Sequence, residues 1–110
     1  MKRYGALLVA IGSLWTSVAG AWDANVTSVL HHYDFLAVYL SPDPGAGNCS
    51  YGSPYLIVIN DTTASKQRVA LIMQALATGT KISGWHGDPC DIGIWGQSRP
   101  RIERLMLSAN

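Results

Sequence analysis

The chain has 110 residues, 48% of them hydrophobic and 14% charged, with eight Lys+Arg against seven Asp+Glu and a formal net charge of +1. A near-neutral chain lacks the basic footprint of a nucleic-acid binder. Its two cysteines form no CxxC, which argues against a redox or metal role for them.

Lys2 and Arg3 give a basic start, residues 6–14 form an apolar run too short to span a bilayer, and Ala19-Gly20-Ala21 supplies small residues for cleavage. Residues 1–21 therefore read as a cleaved signal peptide. The single domain left at 22–110 has six basic residues against seven acidic ones, since Lys2 and Arg3 are removed. No second apolar span follows, so no membrane span is expected in the mature form, which should be secreted or periplasmic.

Residues 26–30 (VTSVL) and 35–40 (FLAVYL) are strand candidates with Asp34 as turn residue, or one long bent hairpin with a bulge. Residues 41–54 read as a loop punctuated by prolines and glycines, and Cys49 lies within it. Residues 55–60 (YLIVIN) suit a central strand buried on both faces. The firmest element is a helix over 62–79. Val69, Ile72, Met73 and Leu76 make one apolar stripe, Thr62 or Thr63 can cap its start, and Gly79 suits its left-handed end. Residues 81–86 form a fourth strand and 87–99 a second long loop, glycine-rich and holding Cys90. Residues 101–108 form a last strand, where the spacing of Ile102 and Leu105 calls for a bulge.

An even cysteine count in an oxidising compartment predicts a Cys49–Cys90 disulfide holding the 41–54 loop against the 87–99 loop. The order β-β-β-α-β-β fits a small β-rich α+β fold, a five-stranded antiparallel OB-like barrel with one helix and one disulfide. An open antiparallel sheet with the helix on one face is the other arrangement this order allows.

The spacing of Trp22, Val26-Thr27, Cys49, Tyr55, the helix with Leu71 and Ala77, Gly79, Ile82, Cys90 and Pro100-Arg101-Ile102 resembles small secreted bacterial proteins that share a two-cysteine pattern and have no established function. The strand order, single disulfide and C-terminal segment are more distantly similar to the receptor-binding B subunits of AB5 toxins of the cholera and heat-labile enterotoxin type. That resemblance implies that Trp95, followed by Pro100, stacks on a sugar with Gln97 as polar neighbour.

Chemistry-bearing residues are few. His31-His32 would point to opposite faces of a strand, so they read as surface or turn histidines rather than a metal pair. His86, Asp88 and Asp91 cluster, but the chain has no G-x-S-x-G, free cysteine or H-E-x-x-H to supply a matched nucleophile or metal. No catalytic residue, metal or cofactor is expected. Trp85, on a strand, reads as core, whereas Trp95 sits in a glycine-rich loop where an indole can face a ligand, with His86, Asp88, Asp91 and Gln97 as hydrogen-bonding groups. Arg99, Arg101 and Arg104 read as a solvated face. Leu71, flanked by Gln67 and Gln74 opposite the apolar stripe, marks a helix face for a protein partner or second subunit, which leaves oligomer formation open. Asn25, Asn48 and Asn60 begin N-glycosylation sequons that carry little meaning in a bacterial protein. The leading expectation is a secreted, non-enzymatic binding module with a glycan or envelope component as ligand. The alternative is a structural or interaction subunit, or a periplasmic partner protein, working through the helix face or a sheet edge.

Overall fold

The computed structural model of the chain describes residues 21–86 and 89–107. The expected signal peptide lies outside these residues except for Ala21, as do Asp88 and Ser108. The elements are β1 (Ala21–His32), β2 (Phe35–Ser41), β3 (Tyr55–Val58), α1 (Thr63–Thr78), β4 (Ile82–Trp85), β5 (Cys90–Ile94), β6 (Gln97–Pro100) and β7 (Met106–Leu107). Five strands form one antiparallel sheet in the order β3-β2-β1-β4-β7, and β5 and β6 form a separate hairpin. Among the described residues the fold is therefore small and β-rich, with one helix and one disulfide, and its sheets are open and antiparallel.

β1 organises the sheet because two strands share it. Residues 21–24 pair with β4, residues 25–32 pair with β2, and the register shifts between Val26 and Ser28, so the strand bends where it changes partner. Trp22, Ala24 and Val26 alternate onto the buried face. The Trp22 ring lies across Gly84 of β4, where an added Cβ would sit 2.2 Å from the indole. Its edge meets Tyr55 with ring centroids 5.2 Å apart at 83°.

The helix starts and stops as its sequence requires. Thr62 accepts from the Ser65 amide at 3.2 Å, while Gly79, at φ 71°, donates to the Ala75 carbonyl at 2.9 Å. Ile72 and Ala75 are fully buried, with Val69 and Leu76 packed beside them, but Met73 is 44% exposed and does not belong to the stripe. Ser65 is buried instead, a turn earlier. Its hydroxyl donates to the Val58 carbonyl and accepts from the Asn60 amide, tying the helix to the end of β3. The first core cluster fills the space between helix and sheet with Trp22, Val26, Leu36, Val38, Leu40, Tyr55, Ile57, Ile72, Ile82 and Ile102, among others.

Three expected elements differ. Residues 87–99 are not simply a loop, because β5 and β6 pair within them. The last strand is broken, with only Met106 and Leu107 joining β4. At its start an isolated parallel bridge joins Arg101 to Leu56, and the Ile102 amide donates to the Leu56 carbonyl at 2.8 Å, turning Ile102 into the core. β3 ends the strand order rather than occupying its centre, yet it is buried on both faces. The helix covers the face of Tyr55 and Ile57. The β5–β6 hairpin covers the other, where Leu56 packs with Ala37 and Ile94 in a second cluster.

Cys49 and Cys90 are bonded. The bond joins the 42–54 loop to the base of the hairpin, as the cysteine count predicts. That loop is also held from within, since the Asp43 carboxylate accepts from the Gly45 and Ser53 amides at 2.8 and 3.2 Å. The Tyr55 hydroxyl donates to the Gly45 carbonyl at 2.6 Å.

Two measurements check this packing. Ile72→Ala should destabilise the domain by about 2–5 kcal/mol in urea unfolding, whereas Gln74→Ala, on the exposed side, should change it by no more than about 0.5 kcal/mol. Equal effects would mean that a different helix face is buried. Burial, aided by the Asp43 carboxylate, pushes the Tyr55 phenol from 10.0 up to about 12. The unfolded chain releases this proton first, so the contribution is fully present below pH 10 and is lost as pH rises towards 12. Stability should fall across that window in the native chain, and Tyr55→Phe should flatten that part of the profile.

Candidate functional site: an aromatic surface across two hairpin tips

Two-residue turns close both hairpins that meet at this surface. His32 pairs with Phe35 across Tyr33-Asp34, and Ile94 pairs with Gln97 across Trp95-Gly96. Such turns place residues at positive φ, which Asn, Asp and Gly tolerate and bulky side chains resist. Here the first turn residue is aromatic in both cases, Tyr33 at φ 52° and Trp95 at φ 54°. Among the described residues these are the two non-glycine residues with positive φ. Both are exposed, Tyr33 at 84% and Trp95 at 53%.

The sheet brings the two tips together. Phe35, just after the first turn, lies against Gly93, just before the second, where an added Cβ would stand 2.1 Å from the phenyl ring. Gly93 falls in the irregular stretch of β5 between Asp91 and Ile94, and Ile94 buries its side chain beneath the hairpin. His32 then stands between the tips. Its ring meets Tyr33 edge-on at 4.9 Å and 90°, and Trp95 at 6.3 Å and 58°.

Beside Trp95 the surface continues through Arg99. This residue is not part of a solvated face, because only 7% of it is exposed. Its guanidinium lies 5.4 Å from the Trp95 ring centroid and 5.0 Å from that of Tyr51. It donates to the Gly52 and Ser53 carbonyls at 3.2 and 3.0 Å and to the Gln97 side-chain oxygen. Arg99 Nε is buried without a partner, and no carboxylate among the described residues pairs with this charge. The Tyr51 amide donates to the Ser98 carbonyl at 2.9 Å, so the 42–54 loop and β6 hold Tyr51 beside the guanidinium.

The sequence-predicted residues separate on this geometry. Trp95 and Gln97 lie at the second tip, with Gln97 engaged by Arg99. Asp91 is committed to Arg101, whose guanidinium also bonds Glu103, while Arg68 reaches Glu103 at 4.0 Å. Arg68, Arg101 and Glu103 line a polar cavity of about 180 Å³, and with Asp91 these charges largely compensate one another. His86 is exposed at the end of β4, and no hydrogen bond, ion pair or ring contact joins it to Trp95 among the described residues. Asp88 lies outside the described residues. Trp85 is half-buried, with the Arg104 guanidinium 5.0 Å over its ring, while the tryptophan of the core is Trp22. On the helix, Gln67 and Gln74 are exposed and Leu71 half-buried.

Tyr33 and Tyr51 carry no role in the sequence reading, where His32 reads as a surface or turn residue and Arg99 as part of a solvated face or a contact to an anionic glycan or phospholipid. The available signal for Tyr33 is the Tyr-Asp pair in the four-residue gap, 31–34, between the strand candidates, and for Trp95 the Trp-Gly pair inside a stretch that reads as loop. Among the described residues no helix is long and apolar enough to cross a membrane. No protein family, curated protein or solved structure matches the chain.

Asparagine fits the left-handed turn position far better than tryptophan. Relief of that strain, about 1–2 kcal/mol, offsets the cation–π attraction lost at Arg99, about 0.5–2 kcal/mol, so Trp95→Asn should leave the Tm close to that of the native chain. A large loss of stability would make the Trp95 ring part of the core.

Proposed function

We propose that the chain is a secreted, non-enzymatic binding module whose ligand is a glycan or other envelope component held on the aromatic surface around Trp95. The observation that carries this reading is that both strained non-glycine residues are exposed aromatics, on adjacent hairpin tips and touching the same histidine. Backbone strain at exposed aromatics adds nothing to folding, and such strain clusters where a protein binds or reacts. An indole face suits the C–H face of a sugar, while neighbouring polar groups take its hydroxyls. His32, whose ring meets both aromatics, and Asp34 and Gln97, at the two turns, are groups of that kind, and the ladders behind them keep the ordering entropy on binding small.

The fold reading that accompanies this is OB-like. Its support is the path of residues 101–107, which start beside Leu56 of β3 and end paired with Ile82 of β4, linking the two sides of the strand order. Delivery through a cleaved signal peptide, to the periplasm or the exterior of a bacterium, fits the disulfide.

A second reading is an interaction subunit that docks through the helix. Its support is the helix face where Gln67 and Gln74 are exposed beside half-buried Leu71, with Met73 exposed on the flank between that face and the buried one. A size measurement in solution separates the two readings, because a defined oligomer that binds no glycan favours the subunit.

The direct test is a glycan array probed with mature protein, followed by tryptophan fluorescence titration of the hits. Trp95→Ala should weaken binding tenfold or more, about 1.4 kcal/mol, while keeping the native fold. Undiminished binding by this variant would move the site elsewhere.

A further inference from the structure

The proposed glycan reading rests on both aromatics, yet a single stacked sugar needs one platform, which Trp95 supplies. Tyr33 belongs to a different hairpin, points out at 84% exposure, and adopts positive φ in its own turn. It has no ring contact with Trp95. His32 stands between them, perpendicular to Tyr33 and tilted 58° from Trp95. One pyranose cannot lie flat on faces separated and turned in this way.

Resting on the glycan reading, we propose that the surface holds a chain of two or more sugar units, with Trp95 and Tyr33 as separate stacking platforms and His32 as the hydrogen-bonding group between them. The two platforms are fixed relative to each other through the Phe35–Gly93 contact, so a second sugar gains contact without ordering a loop. Once the first unit is seated, the second binds as a tethered group at high effective concentration. Affinity should therefore rise sharply from one unit to two. The gain should depend on Tyr33, whereas Trp95 should serve every chain length. His32, with one ring nitrogen donating and the other accepting when neutral, can bridge hydroxyls of both units.

The test is isothermal titration of the mature protein with linear β-1,4-linked N-acetylglucosamine, β-1,4-linked glucose and α-linked mannose, each as a series from one unit to four. The native chain should bind the two-unit member of at least one series tenfold or more tightly than the one-unit member. Tyr33→Ala, at an exposed turn, should keep the native Tm, erase that gain and leave one-unit affinity unchanged. Trp95→Ala should lose all lengths together. Equal affinity for one and two units, or a Tyr33→Ala variant that weakens all lengths equally, would overturn the two-platform proposal and leave the glycan reading standing. No binding to any series, here and on the array, would overturn both. Sedimentation with phosphatidylcholine–phosphatidylglycerol vesicles that both variants abolish, without glycan affinity, would assign the aromatics to a membrane surface and also overturn both.

Discussion

A two-stranded hairpin with little apolar surface beneath it is marginal in water, and the β5–β6 hairpin has only Ala37, Leu56 and Ile94 fully buried under it, with Phe35 and Tyr39 alongside. The Cys49–Cys90 bond supplies what this small cluster lacks. It closes a sequence separation of 41 residues, which in the chain-entropy account disfavours the unfolded state by about 4 kcal/mol. Against the roughly 5–15 kcal/mol that holds an ordinary domain together, that is a large share. The bond also determines where rigidity lies. Cys90 opens β5, so the base of the hairpin is anchored covalently, while its β5 strand is placed near the tip by packing, Gly93 against Phe35 and Ile94 into the sheet. The tip can then present an indole instead of burying it.

Arg99 completes the attachment from the other strand. Burying a guanidinium without a carboxylate is costly, and the carbonyls of Gly52 and Ser53, with the Gln97 amide oxygen, offset part of that cost. The two rings beside the cation contribute further, since cation–π attraction strengthens as water is excluded. Planarity is central here. A guanidinium can lie beside two rings and still aim N–H groups in its plane at backbone oxygens, which a lysine ammonium cannot do. The same residue therefore pins the 42–54 loop, aligns Tyr51 with Trp95, and carries positive charge to the edge of the aromatic surface.

How much of this was legible in the sequence depended on whether the signal was local. The helix, its Thr62 cap and its Gly79 stop follow from short-range chemistry, and the structure keeps them. The disulfide followed from counting. Met73 was misplaced because a 3.6-residue period cannot say where the sheet ends, and the buried Ser65 became apparent only once Val58 and Asn60 stood beside it. Trp22, Ala24 and Val26 do alternate in the sequence, but Asp23 and Asn25 between them are residue types depleted in strands, so the local signal there is weak. Arg99 was misread for a more basic reason. A run of arginines near a glutamate ordinarily faces water, and only the tertiary path reveals two backbone carbonyls waiting for one of them. The site as a whole joins turns more than sixty residues apart in the chain, so no window of sequence could display it.

What the sequence does display at those turns is a conflict. Foldable sequences have local preferences that agree with the global structure, and a two-residue hairpin turn prefers Asn, Asp or Gly at its left-handed positions. The second tip follows that rule at Gly96 and breaks it at Trp95, and the first breaks it at Tyr33. A single breach could be an accident of drift, tolerated because most proteins sit above their stability threshold. Two breaches with the same residue class, at the same turn position, on hairpins that the Phe35–Gly93 contact brings side by side, share one physical consequence. Each moves an aromatic face out of the core and holds it still. Core packing gains nothing from that arrangement, while a ligand that stacks gains a platform whose ordering is complete before it arrives.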